Sequence, residues 1–154
     1  MFKKVTEKFY NSEKEKFQKE NDTAIIADNV LGCFFAKDSS CLYNNDGIII
    51  ISANSILYEK LATLYHEIGH YKCHRKKCRC EKEDNLLLKE EHAYKYMLEI
   101  MLKKKILPSL KFSIENIKNK TNSKTTTMHE RIAAQRIVKT KLFKDCVKFV
   151  SNYG

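Results

Sequence analysis

The chain has 154 residues, a mass of 18.1 kDa and a formal charge of +10, a size that suits one domain with its own core. Its longest purely aliphatic run is Ile48–Ile51, far short of a membrane span, and the charged stretch from Met1 to Lys8 lacks the apolar core of a signal peptide. A soluble protein located in the cytoplasm is therefore expected.

The charge is unevenly placed. Residues 1–102 hold sixteen Lys/Arg and sixteen Asp/Glu, whereas residues 103–154 hold thirteen and three. The basic last third is expected to attract nucleic acid or an acidic protein, unless it only reflects a lysine-rich composition. Six cysteines without an export signal fit reduced thiols better than a disulfide framework.

Residues 2–20 read as an amphipathic helix with Phe2, Val5, Phe9 and Phe17 on one side. From Thr23 the pattern becomes β: residues 23–27, 31–35, 40–43 and 48–51, the last after the turn Asn44-Asn45-Asp46-Gly47. The expected fold class is α+β, with a small, mostly antiparallel sheet directly before the next helix.

That helix follows Asn54-Ser55, read as N-cap residues, and carries Ile56, Leu57, Leu61, Leu64, Tyr65 and Ile68 at three- and four-residue intervals. Within it stand His66-Glu67-Ile68-Gly69-His70, the zinc-hydrolase pattern H-E-x-x-H. Residues at i and i+4 share a helix face, so both imidazoles can reach one metal while Glu67 reaches the water bound to it. Gly69 costs a helix roughly 1 kcal/mol relative to Ala, which suggests close packing there against a strand or a substrate backbone.

Residues 75–85 read as a loop. Cys73, Cys78 and Cys80 cluster near it, but the spacing lacks a second ligand pair at a distance and Arg75, Lys76 and Lys77 intervene. A basic surface turn is favoured there over a second metal site. The next helix is expected from Asn85 to Leu107, where Pro108 stops it, with an apolar stripe of Ala93, Tyr96, Met97, Ile100 and Met101 headed by Glu90. A short helix to Lys120, a polar linker and the capping box Thr127-Met128-His129-Glu130 follow; Ile137, Val138, Leu142, Cys146, Phe149 and Val150 make the last helix amphipathic.

A catalytic zinc takes three protein ligands. The metzincin pattern requires a histidine where this chain has Lys76, and His74 lies too far along the helix to close a tetrahedron with His66 and His70. Of Glu90, Glu91 and His92, helical phase favours Glu90 as the third ligand and turns the other two elsewhere.

The run Gly32-Cys33-Phe34-Phe35, the strand Ile48–Ile51, the H-E-I-G-H segment continued to His74, and Glu90-x-x-Ala93-x-x-Tyr96-Met97 together resemble the ImmA/IrrE family of zinc metallopeptidases over residues 30–107. Tyr94, Lys95 and Tyr96 depart from that family's pattern. A weaker resemblance is to HtpX-like gluzincins, through Thr127–Ile132. These resemblances imply a zincin-like single domain over residues 1–154, with the sheet and active-site helices at about 23–107 and a basic helical part at about 108–154. His66, His70 and Glu90 then match the Zn2+ ligands and Glu67 the general base, with His129 or Arg131 a candidate for stabilising the oxyanion. The implied activity is that of a soluble zinc endopeptidase with a narrow protein substrate, such as a helix-turn-helix repressor of a prophage or mobile element. The alternative is a non-hydrolytic regulator that binds a protein or nucleic acid through the basic C-terminal third.

Overall fold

The computed structural model describes residues 2–21, 23–28, 33–36 and 47–153. The elements run α1 (Glu7–Glu20), β1 (Thr23–Asp28), β2 (Cys33–Ala36), β3 (Gly47–Ser52), α2 (Leu57–Arg75), α3 (Arg79–Lys82), α4 (Leu86–Lys104), α5 (Leu107–Lys120), α6 (Met128–Ile137) and α7 (Lys141–Tyr153).

The expected α+β class, with its mostly antiparallel sheet, is overturned. Most described residues are helical, and the strands among them form one three-stranded ribbon in the order β1-β3-β2. β1 runs parallel to β3, with Thr23 opposite Gly47 and Asp28 opposite Ser52, while β2 runs antiparallel to it. The physical reason lies in the Ile48–Ile51 run: a strand without polar alternation suits a central position, and Ile49 and Ile51 are buried. The expected strand at residues 40–43 and the turn residues Asn44–Asp46 lie outside the described residues.

The core is built chiefly between helices. Leu61, Leu64, Tyr65 and Ile68 of α2 meet Tyr94, Met97, Leu98 and Met101 of α4, and Leu110, Ile114 and Ile117 of α5, Ala133 and Ile137 of α6 and Phe143 and Cys146 of α7 complete one cluster. The N-terminal helix starts later than residue 2, because Thr6 caps it: its hydroxyl accepts from the Phe9 amide at 3.2 Å. Glu13 joins α1 to the core, accepting from the Tyr65 hydroxyl at 2.9 Å and from Lys104 Nζ at 2.7 and 2.8 Å.

Several helix limits differ from those expected. α2 begins after Ile56, which caps it without a side-chain hydrogen bond, so Asn54-Ser55 are not its cap. The presumed loop at 75–85 contains α3. Asn85 does cap α4, its side chain accepting from the Leu88 amide at 3.1 Å. Pro108 does not end α4. That helix stops at Lys104 because Lys105 turns left-handed (φ 57°), and Pro108 instead sits in the first turn of α5, where a missing N–H costs nothing. Thr127 caps α6, again without a side-chain hydrogen bond, and the expected last helix is divided into α6 and α7 by residues 138–140. No helix among the described residues is long and apolar enough to cross a membrane.

Candidate metal centre

The centre is made where α2 crosses α4, and Gly69 allows the crossing. A Cβ on Gly69 would lie 2.8 Å from Ala93 Cα, 3.2 Å from the Ala93 carbonyl oxygen and 3.3 Å from Tyr96 Cβ. The neighbour expected from the sequence was a strand or substrate backbone; it is the backbone of α4. Small residues on both helices, Gly69 and Ala93, bring the two backbones together and thereby carry Glu90, one turn before Ala93, to the two histidines.

His66 Nε2 lies 3.2 Å from His70 Nε2 and 3.2 Å from Glu90 Oε2, and His70 Nε2 lies 3.1 Å from Glu90 Oε1. With bonds of about 2.0–2.1 Å, a tetrahedral zinc sets its nitrogen and oxygen ligands about 3.3 Å apart. The separations, each histidine meeting a different oxygen of Glu90, are near that length, and the three side chains are gathered closely enough to hold a metal ion. Each is mostly buried, with 15–17% of the side chain exposed.

The charges are mutually dependent. Burial acts to raise the Glu90 carboxyl, but the hydrogen bonds from His66 and His70 outweigh it and hold the group well below the usual carboxylate range. At His70 burial favours the neutral ring, and the Glu90 hydrogen bond overcomes it, so this imidazole binds its proton more tightly than an ordinary histidine. A metal entering this triangle must displace that proton, as ligand nitrogens require.

Glu67, at 6% exposure, is the only buried charged residue among those described. Burial pushes its carboxyl up, against the opposing influence of His66 and His70; Glu90 raises it further, and the Lys120 ammonium lowers it. It is thus a carboxylate with a tightened hold on a proton, placed among the charges of the centre.

Two side chains that the sequence did not single out for the site complete its wall. Tyr94, read only as a departure from a family pattern, packs its ring on His66, with centroids 4.9 Å apart. Its hydroxyl accepts from Lys120 Nζ at 3.1 Å, and the same ammonium lies 5.5 Å from the ring centroid. The signal for Tyr94 was its phase: it follows Glu90 by four residues, one turn along α4. Lys120, at the end of α5, gave no local signal.

His129 is not among the atoms gathered here. Its Nε2 lies 3.3 Å from Thr127 Oγ1 at the start of α6, because the cap hydroxyl turns to this ring instead of to the helix amides. Arg131 donates to the Ser123 carbonyl at 3.3 Å. Glu91 turns away, as expected, and accepts from Arg136 Nη1 at 2.9 Å. His74 lies 3.6 Å from Glu81. His92 also turns away from the triangle, towards Cys73, Cys78 and Cys80, and these four form a second group able to hold a metal ion. The ligand that the cysteine spacing lacked in the sequence comes from α4.

Comparisons with protein-family models, with curated proteins and with solved structures found no match for the chain.

Proposed function

We propose that the chain is a zinc-dependent peptidase whose centre is His66, His70 and Glu90, with Glu67 as general base. The observation that carries this reading is the triangle of two imidazole nitrogens and a carboxylate, 3.1–3.2 Å on each side, with a buried carboxylate beside it. Two neutral nitrogens and one oxygen suit zinc, and three protein ligands leave the fourth position that a catalytic site needs. Zinc held there supplies a Lewis acid for a carbonyl oxygen and acidifies a water molecule.

The chain's own residues do the rest. Glu67 takes a proton from the attacking water and returns it to the leaving amine, a task suited to a carboxyl whose proton affinity burial has raised. Tyr94 fixes the plane of the His66 ring, and Glu90 offsets the positive charge between the histidines. Resemblance to the ImmA/IrrE metallopeptidases extends the proposal to a narrow protein substrate, a helix-turn-helix repressor of a prophage or mobile element.

The test compares zinc-loaded wild type with Glu67→Gln on repressors encoded beside the chain's own gene. Cleavage should fall by roughly 10²-fold or more, the low end of what a general base supplies, with zinc content and thermal stability near wild type. Cleavage that survives in a metal-loaded Glu67→Gln protein would sink the mechanism. Loss of zinc or of folding would make Glu67 structural and favour a non-hydrolytic binding role.

A further inference from the structure

Between Tyr71 and Ala93 the chain makes a tight double turn, and the hydrophobic core scarcely reaches it: of these intervening residues only Leu87 packs on the main cluster. α3 has four residues, far too few to be stable by itself. Both of its ends rest on left-handed residues that are not glycine, Lys77 (φ 49°) and Asp84 (φ 46°), a conformation costing roughly 1–2 kcal/mol for an L-residue. At the first, the Cys78 amide donates to the Cys73 carbonyl at 3.0 Å and the Lys77 amide to that of His74 at 3.2 Å; at the second, the Asn85 amide donates to the Cys80 carbonyl at 2.9 Å and the Asp84 amide to that of Glu81 at 3.2 Å. These are the paired bonds of two successive Schellman turns. The backbone is thus folded back twice, at a cost in strain and with little apolar burial to offset it.

What the double turn accomplishes is to converge four metal-ligating side chains. Cys73 comes from the last turn of α2, Cys78 caps α3, Cys80 lies within it and His92 comes from the second turn of α4. One ligand atom from each lies within 4.8 Å of all the others. Cys78 Sγ is 3.3 Å and Cys73 Sγ 3.6 Å from His92 Nδ1, where Zn–S and Zn–N bonds of about 2.3 and 2.0–2.1 Å require S···N separations of about 3.6 Å in a tetrahedron. The thiols are free, and Cys80 is fully buried although it does not join the main hydrophobic cluster.

We propose that Cys73, Cys78, Cys80 and His92 bind a second zinc ion with a structural role, distinct from the His66–His70–Glu90 centre. Three thiolates and one imidazole fill all four positions, so this ion has no place for water or substrate and acts as a clasp between α2, α3 and α4. Three thiolates around a dication leave one net negative charge. Arg75, Lys76, Lys77, Arg79 and Lys82, which read in the sequence as an argument against a metal, outnumber Glu81, Glu83 and Asp84 in this segment, so its net charge has the complementary sign although Arg79 is paired with Glu83. The clasp provides the stabilisation that the small core of this segment does not.

The experiment separates the two ions by using zinc alone as the probe. Wild-type protein should bind two zinc ions per chain, and His66→Ala/His70→Ala should keep one. Replacing that remaining ion by cobalt should give thiolate-to-metal charge-transfer absorption, which Cys73→Ser/Cys78→Ser should abolish. In case that variant fails to fold, the wild type provides an independent reading: zinc should slow alkylation of Cys73 and Cys78 at least tenfold, followed peptide by peptide, and a chelator should restore it. The proposal is overturned if folded His66→Ala/His70→Ala binds no zinc, if its cobalt form lacks thiolate absorption, or if alkylation of Cys73 and Cys78 is indifferent to zinc. A disulfide among the three thiols in freshly reduced, zinc-treated protein would overturn it as well.

Discussion

Replacing Gly69 by alanine adds one methyl group at the point where α2 and α4 touch, and its consequence should be felt at the metal. The new Cβ would lie 2.8 Å from Ala93 Cα, where real Cβ atoms come no nearer than 3.0 Å and ordinary contact begins near 3.4 Å, so the backbones must part by 0.2 to 0.6 Å. The obstacle is main chain and cannot rotate away. Overpacking of this kind costs about 1–3 kcal/mol, while removing a glycine from a helix returns about 1 kcal/mol, so the net loss of stability should be modest, between about 0 and 2 kcal/mol. Metal geometry is far less tolerant, since ligand distances hold to about ±0.2 Å. Glu90 moves with α4, and zinc affinity should fall by about tenfold or more, a loss usual when the support of a metal ligand is disturbed. Competition against a chromophoric chelator measures the affinity and chemical denaturation the stability. A Gly69→Ala protein that binds zinc at both centres as wild type does and gains about 1 kcal/mol, as helix propensity alone dictates, would refute the close approach.

At the ligands themselves, Glu90→Gln should lose the zinc held with His66 and His70, whereas Glu91→Gln, whose carboxylate meets Arg136 at 2.9 Å, should keep it; metal analysis showing the reverse would overturn the helix register. Alkaline stability should fall as pH rises. Burial pushes the Cys146 thiol from 9.0, and the Tyr10 and Tyr96 hydroxyls from 10.0, to about 12. Between those values the unfolded chain releases protons that the fold retains, and each such group takes away about 1.4 kcal/mol per pH unit. A denaturation midpoint unchanged from pH 9 to 11 would contradict this.

What could be read from the sequence was governed by local arithmetic. His66, Glu67 and His70 follow from 3.6 residues per turn, and Glu90 from the phase of the stripe through Ala93 and Met97; the structure brings the three expected ligands together. His92 escaped because its partners lie on another helix, and the register of α4 on α2 depends on the Gly69–Ala93 approach, which no local pattern encodes. The end of α4 escaped for a different reason. Lys105 takes the left-handed position where glycine is the usual signal, so Pro108 looked like the stop. In the sheet, the turn residues ahead of Ile48 suggested mostly antiparallel pairing, which the parallel pairing of β1 with β3 overturns. The apolar run suits the central place that β3 takes, with β1 parallel and β2 antiparallel to it.

The two proposed zinc sites share both of their main supports, and this makes a last prediction possible. On α2, Cys73 follows His70 by three residues, and on α4, His92 follows Glu90 by two. An ion at the cysteine cluster therefore restrains the first turns of α4 against the end of α2, the same relation on which the distance from Glu90 to His66 and His70 depends. Neighbouring sites coupled through one rigid contact do not behave additively. In Cys73→Ser/Cys78→Ser, zinc affinity at the remaining centre should drop by about tenfold, within the range found when groups that orient a ligand are removed. His74→Gln serves as a control, because it alters α2 beside Cys73 while keeping all seven ligands. Equal affinity at the first centre in Cys73→Ser/Cys78→Ser and wild type would show that the Gly69–Ala93 contact alone positions Glu90, and would confine the cysteine clasp to the stability of α3.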